Sequence, residues 1–290
     1  MPQHIVGIMG GSGLGDSLVE HLTDCQEVVS KTPFGNPSGP IVVGQWGDRR
    51  VAFLNRHGPG HCLSPSAVPY AANIFAMKQL GVHTLLATGA VGSLQEAIAP
   101  GDLVVVDQFI DKTFKRRTSF FDHAAVHCEL ADPVCDSLAK TLNKVAQSTE
   151  IKTHRQGTYV CMEGPQFSTR AESRMHRLWG GDLIGMTAMP EAKLAREAQM
   201  CYGLIALASD YDCWRPHDVT KGKHALLQEI LGNLQAATRH CMGLIEAVIE
   251  SQEALVCDDC ACRKSLELAV WTQDSDQTMA QKKLLTPLFE

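Results

Sequence analysis

His4-Ile5-Val6-Gly7-Ile8-Met9 runs straight into Gly10-Gly11-Ser12-Gly13-Leu14-Gly15, and this junction sets the fold class. A short apolar, β-branched run bounded by glycines reads as a buried strand, and a glycine loop after such a strand is the βα turn of an α/β domain. Glycines let backbone N–H groups approach an anion closely, and Ser12 adds a hydroxyl donor. The loop completes no dinucleotide fingerprint, because G-x-G-x-x-G counted from Gly11 meets Asp16 at its sixth position; the G-K-[ST] ending of a P-loop is absent too. By itself the loop reads equally as an anion cradle and as a tight turn.

Outward from that strand the rhythm repeats. Apolar runs at 41–43, 51–54, 84–87, 103–106, 157–161 and 202–209 alternate with helical patterns at 70–80, 133–146, 169–179 and 190–200. A long amphipathic helix follows from about residue 222 to 249, carrying Leu226, Leu227, Ile230, Leu231 and Leu234 with no proline to break it. The expectation is an α/β fold with a mostly buried central sheet flanked by helices.

Composition narrows the function classes. The 290 residues, 44% apolar and 20% charged, exclude a collagen-like, coiled-coil or wholly disordered chain and allow one domain or two. Twenty-six Lys and Arg against 32 Asp and Glu leave a formal net charge of −6, which gives no footprint for nucleic acid or for an anionic membrane surface. Any anionic ligand must therefore be held by local cations. No apolar stretch approaches the ~18 residues of a membrane span, and the N-terminus lacks a basic-then-apolar leader pattern, so the expected setting is cytoplasmic.

The chemistry gathers at strand ends, where open α/β sheets place their ligands. Asn55-Arg56-His57-Gly58-Pro59-Gly60-His61 closes one apolar strand with a guanidinium fork and two imidazoles. Thr88-Gly89-Ala90-Val91-Gly92-Ser93 opens another strand end into small residues, and Gly185-Met186-Thr187-Ala188-Met189-Pro190-Glu191 leads into a proline-started helix. Each segment alone is an ordinary connection; their recurrence at successive strand ends is the signal. The sharpest feature is Ser209-Asp210-Tyr211-Asp212-Cys213-Trp214. Carboxylates at i and i+2 of an extended chain point to one side, roughly 6–7 Å apart, fit to grip two atoms of one ligand or to act as a general acid. Burial would raise an Asp pKa and let it carry a proton near neutrality.

Taken together these segments resemble the methylthioadenosine phosphorylases, within the trimeric purine nucleoside phosphorylase superfamily. The resemblance rests on Gly-Gly-Ser-Gly-Leu (10–14), Thr-Pro-Phe-Gly-x-Pro-Ser (32–38), Arg-His-Gly (56–58) and the run from Gly101 to Asp111. It continues through Glu-Gly-Pro-Gln-Phe-Ser-Thr-Arg-Ala-Glu (163–172), Met-Thr-Ala-Met-Pro-Glu (186–191) and Ser-Asp-Tyr-Asp-Cys-Trp (209–214). It implies a single-domain nucleoside phosphorylase fold with a mixed central sheet over residues 1–250, no cofactor, and inorganic phosphate as co-substrate. Carried over by position, Ser12, Arg56, His57, Ala90 (through its backbone) and Thr187 would hold phosphate. Met186 would lie against the ribose and Phe167 against the purine, with Asp210 and Asp212 at the base edge as the catalytic pair. His127 would reach into a neighbouring subunit's site in a homotrimer, and Leu226 and Leu227 would lie on the helix lining the 5′ pocket. Gly89 stands where a Thr is common in the family.

The implied reaction is phosphorolysis of 5′-methylthioadenosine to adenine and 5-methylthioribose 1-phosphate. Three alternatives differ by class. A phosphorylase for 6-oxopurine nucleosides or methylthioinosine usually has Asn where Asp210 stands, and the purine phosphorylases have Glu where Ser168 stands. A nucleoside hydrolase also uses paired carboxylates, but it needs no phosphate clamp. A non-catalytic nucleoside-binding protein could dispense with Asp210 or Arg56.

Residues 251–290 change composition and are expected to form an appendage outside the fold. Within it Cys257-x-x-Cys260-x-Cys262 admits a zinc half-site, with His240 or Cys241 as a fourth ligand, a redox pair, or spare surface thiols. Related thermophilic phosphorylases carry a Cys-x-Cys near their C-terminus, but a reducing cytoplasm disfavours a lasting disulfide. Spare thiols, with no bound metal, are the expectation.

Overall fold

The glycine-loop strand forms where its apolar run predicts: β1 (Ile5–Gly10) is buried along all but its first residue. The computed structural model describes residues 4–11, 13–216, 222–255, 259–273 and 275–289; Ser12 and Cys257 therefore lie outside the described residues. After β1 come α1 (Gly15–Glu20), β2 (Thr23–Val28), β3 (Ile41–Trp46), β4 (Arg49–Asn55), α2 (Tyr70–Gln79), β5 (Val82–Ser93), β6 (Leu103–Val106) and β7 (Gln108–Asp111). The chain continues through α3 (Asp136–Ala146), β8 (Thr153–His154), β9 (Thr158–Cys161), α4 (Arg170–Leu178), β10 (Leu183–Gly185), α5 (Glu191–Glu197), β11 (Cys201–Tyr211), α6 (Lys223–Glu250) and α7 (Asp276–Leu284).

All eleven strands among the described residues join one mixed sheet. β4, β1, β5 and β11 run parallel in that spatial order, while β3 on one side and β6 on the other pair antiparallel to it. The twelve-residue β5 is the hinge of the topology. Its first half pairs β1, and its last residues pair β10, which leads through β9 to β7. This is the α/β domain with a mixed central sheet and flanking helices expected from the sequence.

Successive residues on these strands divide between two cores, as the two-residue period of a strand requires. Met9, Leu54, Leu85 and Leu204 face Phe75 of α2 and Leu194 of α5. Ile8, Phe53, Leu86 and Ile205 face Leu138 and Leu142 of α3 and Leu244 and Ile245 of α6. A parallel sheet covered on both faces explains why its strands read as continuous apolar runs rather than as alternation. No helix among the described residues is long and apolar enough to cross a membrane.

The segment beyond residue 250 departs from expectation. Instead of lying outside the fold, Leu255 and Cys262 are buried in one core, and Leu266, Ala269, Leu285 and Leu288 are buried in the other. Thr84 Oγ1 donates to the Leu255 carbonyl at 2.9 Å, and Gln199 Nε2 donates to the Leu288 carbonyl at 2.8 Å. The apolar anchors are single residues set among polar ones, so no periodic stretch announced them. α7 starts at the Ser275 cap, whose side chain accepts from the Thr278 N–H.

Candidate functional site

Four chain segments meet at the C-terminal ends of β4, β5 and β11. At the end of β4, Arg56 is 1% exposed and Glu191, at the start of α5, is fully buried. Arg56 Nε and Nη2 donate to the two Glu191 oxygens at 2.7 and 2.9 Å, a bidentate pair. Nη1 donates to the Thr88 carbonyl at 2.8 Å and Nη2 to the Met9 carbonyl at 3.3 Å. Burial works against the guanidinium charge, yet Glu191 raises the Arg56 pKa above its ordinary value. Four of the five N–H donors are thus spoken for among the described residues, leaving one Nη1–H.

The sequence places this post by local means. The Arg56 N–H donates to the Gly10 carbonyl at 2.9 Å, tying the end of β4 to the glycine loop. Ser38 Oγ donates to the Arg56 carbonyl at 2.6 Å and is itself held by the buried Asn73 of α2 at 2.8 Å. Gly58 turns the chain with φ of 72°, and a Cβ there would come 2.9 Å from the Ser38 carbonyl, so a side chain is excluded on both counts.

His57 is buried and its Nδ1 lies 2.8 Å from the Leu63 carbonyl, which assigns the proton to Nδ1 and leaves Nε2 an acceptor in the neutral ring. Burial, with the charge of Arg56 and the neighbouring His61 adding to it, lowers its pKa from 6.5 to about 4. Between those two values the unfolded chain binds a proton that the folded chain refuses. The stabilising contribution is therefore complete above pH 6.5 and is lost as the pH falls towards 4. A His57→Gln variant should lack this part of the acid dependence, measured as the difference in urea midpoint from the parent across that window. A constant difference throughout would contradict the assignment.

The end of β5 meets the 185–191 turn. A methyl built on Gly89 would approach Thr187 Oγ1 to 3.4 Å, so the missing side chain leaves that hydroxyl uncovered. Ala90 follows, exposed, and pairs in register with Leu207 of β11. Two residues on, Gly92 pairs with Asp210, across a bulge between Ala208 and Asp210.

The two aspartates differ in surroundings. Asp210 is half-buried, and Ser209 Oγ donates to its Oδ1 at 2.7 Å while lying 3.2 Å from the Val91 carbonyl. Asp212 is buried, its N–H donates to the Ser93 carbonyl at 3.0 Å, and its Oδ2 has no hydrogen-bond partner among the described residues. Trp214 Nε1 donates to that same Ser93 carbonyl at 2.8 Å, which fixes the turn after the pair.

Several polar groups were missed by sequence reading. Glu163 is buried; that alone would raise its pKa, but the Ser66 hydroxyl, the Phe114 and Lys115 N–H groups and Arg116 hold it down to about 2. Arg116 donates through Nη2 to the Glu163 carbonyl at 2.8 Å and through Nη1 to the Met186 carbonyl at 2.6 Å. Met186 in turn lies over Gly164, where a Cβ would meet its Sδ at 2.6 Å. Lys112 Nζ sits 2.9 Å from Nε2 of the buried His176, whose Nδ1 has no partner among the described residues. Burial and Lys112 lower the His176 pKa, opposed by the charge of Asp212. None of these carries a short-range sequence signal; Arg116 and Glu163 stand 47 positions apart.

The remaining candidates are exposed or half-buried in the single chain. Phe167 is 84% exposed and Leu227 50%, while Leu226 is half-buried. His127 is exposed too, with its N–H donating to the Ala269 carbonyl at 2.9 Å and its ring 5.0 Å from that of Trp271. The C-terminal segment thus holds His127 in place.

The phosphorylase superfamily profile matches residues 5–250. The S-methyl-5′-thioadenosine phosphorylase of Thermosynechococcus vestitus is 51% identical over 245 residues, 83% of this chain and 82% of the relative. That of Gloeobacter violaceus is 44% identical over 293 residues, 99% of this chain and 96% of the relative. Among solved structures, a methylthioadenosine phosphorylase from an antarctic soil metagenomic library superposes with a TM-score of 0.84 at 40% identity, covering 98% of this chain and 99% of that one. The Schistosoma mansoni methylthioadenosine phosphorylase in complex with tubercidin gives 0.77 at 32%, covering 98% of each.

Proposed function

We infer the working parts of the site from one premise: the chain belongs to the phosphorylase superfamily and, within it, to the S-methyl-5′-thioadenosine phosphorylases. Its activity is methylthioadenosine phosphorolysis, a pentosyl transfer that yields adenine and 5-methylthioribose 1-phosphate. The reaction breaks the bond between ribose C1′ and the purine while a phosphate oxygen bonds to C1′. Positive charge builds on the sugar and negative charge on the base, and both ends need stabilisation.

The observation that carries the division of labour is the register of β5 against β11. Ala90 and Gly92 are two strand residues apart, about 7 Å. Just before the first, Thr88 accepts from Arg56 and Gly89 lies against the Thr187 hydroxyl, while the second stands beside Asp210 and Asp212. That spacing suits a phosphate on one side of C1′ and a purine on the other. In this reading Ser12, the free Nη1–H of Arg56, the Ala90 backbone and the Thr187 hydroxyl donate to phosphate. His57 Nε2 accepts the proton that phosphate still carries near neutrality. Because Glu191 already balances Arg56, the anion is held by aimed donors more than by net charge.

At the other end Asp210 is the proton donor to purine N7. The Ser209 hydroxyl donates to Oδ1 and so orients the carboxyl group, leaving Oδ2 to carry the proton. The unpartnered Oδ2 of Asp212 accepts from the exocyclic N6 amine, which favours adenine over a 6-oxopurine. Met186 packs under the ribose and Phe167 over the purine. His127, Leu226 and Leu227 complete the 5′ pocket in a homotrimer with shared sites, a role that suits the exposure of His127 and Leu227 in the isolated chain. We assign catalysis to residues 1–250 and to 251–290 the steadying of His127. A reducing, cytoplasmic setting suits a protein whose described cysteines stand outside disulfides.

Purified protein should release adenine from methylthioadenosine only when inorganic phosphate is present, and should turn over inosine and methylthioinosine poorly. Equal rates in phosphate-free buffer would move the reading to hydrolysis. Sedimentation of a fully active monomer would remove the shared site.

A further inference from the structure

We propose that Cys135, Cys201, Cys260 and Cys262 form a structural zinc site, a closed tetrathiolate that fastens the C-terminal segment to the body of the fold. The four sulfurs come from three separated pieces of chain. Cys135 caps α3, Cys201 is the first residue of β11, and Cys260 and Cys262 flank Ala261 at the start of a 3-10 turn over Ala261–Lys264. All four Sγ atoms lie within 4.8 Å of one another, and Cys135, Cys201 and Cys262 are buried. Neither His240 nor Cys241 belongs to the group: His240 Nδ1 contacts the Gly101 carbonyl at 2.9 Å, and Cys241 is buried on α6.

The spacing separates metal binding from disulfide bonding. Cys135 Sγ and Cys260 Sγ are 3.6 Å apart. A disulfide requires about 2.05 Å. Four thiolates around zinc at about 2.3 Å form a tetrahedron whose sulfur–sulfur edge is about 3.8 Å. An all-sulfur, largely buried set of four donors selects a soft or borderline cation, and with every position of a tetrahedral ion filled by protein it leaves no place for a substrate, so the role is structural. Binding requires the four thiols to release their protons to solvent, with no change of oxidation state. The resulting negative charge has compensation at hand in Arg196, whose charge acts on Cys262 and whose carbonyl accepts from Ser265 Oγ at 2.5 Å.

The site would brace more than the tail. Seven residues beyond Cys262, Ala269 accepts from the N–H of His127, and Trp271 packs against its ring. The metal would thus lie between the sheet and the segment that presents His127.

The test is metal analysis of the full-length protein purified under reducing conditions without chelator, with one zinc per chain expected. Mercurial titration of the thiols should release that zinc. Cys260→Ser and Cys262→Ser should each cut zinc content by more than about tenfold, whereas Cys25→Ser, at an exposed cysteine outside the group, should leave it unchanged. Should the serine variants fail to fold, growth of the parent protein on cobalt provides a second readout, since tetrahedral sulfur coordination gives intense thiolate-to-cobalt absorption. Metal-free protein with four titratable thiols, metal-free protein with these cysteines in disulfides, iron in place of zinc, or a cobalt spectrum without thiolate bands would each overturn the proposal.

Discussion

Asp210→Asn should lower kcat for methylthioadenosine by about 10²- to 10⁴-fold, the usual worth of a positioned proton transfer, while changing KM little. The amide matches the carboxyl group in shape and still hydrogen-bonds to N7, so ground-state binding survives. What it lacks is a transferable proton for the nitrogen that becomes negative as the C1′–N bond breaks. The loss therefore falls on the transition state alone. The same variant should lose less on inosine, because an amide donates to both N7 and O6, so preference between the bases shifts even if neither is turned over quickly. Asp212→Asn makes the useful contrast. In the proposed reading its Oδ2 accepts from N6, so its cost should appear in discrimination between adenine and hypoxanthine nucleosides more than in kcat. An unchanged kcat for Asp210→Asn on methylthioadenosine, under conditions where chemistry is rate-limiting, would take Asp210 out of the reaction.

How much of this could be read from the chain alone depends on how local each signal is. The parallel strands were legible because burial on both faces makes them continuous apolar runs, as at 51–54 and 84–87. β2 (Thr23–Val28) was not, since it lies at the sheet edge with only Val28 partly covered and reads as polar loop. β10 spans just Leu183–Gly185, too short for a pattern. At the site, residues that follow strand ends announced themselves through Gly, Arg, His and Asp at turn positions. The groups that hold them did not. Glu191 looked like a helix-start acid, and nothing in its surroundings shows that it faces a guanidinium 135 positions earlier. The cysteine cluster is the extreme case. Cys135 and Cys201 lie far in sequence from residues 251–290, and only the fold brings them to the Cys-x-Cys of a segment whose own apolar anchors are too sparse to show a period.

The second large effect concerns that hidden acid. Glu191→Ala should destabilise the protein by about 3–5 kcal/mol, the cost of breaking a buried ion pair from one side, and should abolish activity at temperatures where the parent is fully folded. The guanidinium of Arg56 is almost inaccessible, so once Glu191 is gone it must stay charged without a counter-ion or draw water into the core. Tyr202 loses a partner as well, because its hydroxyl donates to Glu191 Oε1 at 2.9 Å. Size alone does not explain such a loss: Arg56→Met combined with Glu191→Leu removes both charges, and that double variant should recover most of the stability while remaining inactive. The recovery distinguishes the two duties of the pair. Stability needs only that the charges be balanced or absent. In the proposed reading, phosphate binding needs the guanidinium itself, with its last Nη1–H left for the anion. Urea unfolding of the three proteins at one fixed concentration, which holds any assembly term constant, checks the claim. A Glu191→Ala loss below about 1 kcal/mol, the range of an exposed ion pair, or a double variant no more stable than Glu191→Ala, would show that the pair is not the buried post on which the phosphate site is built.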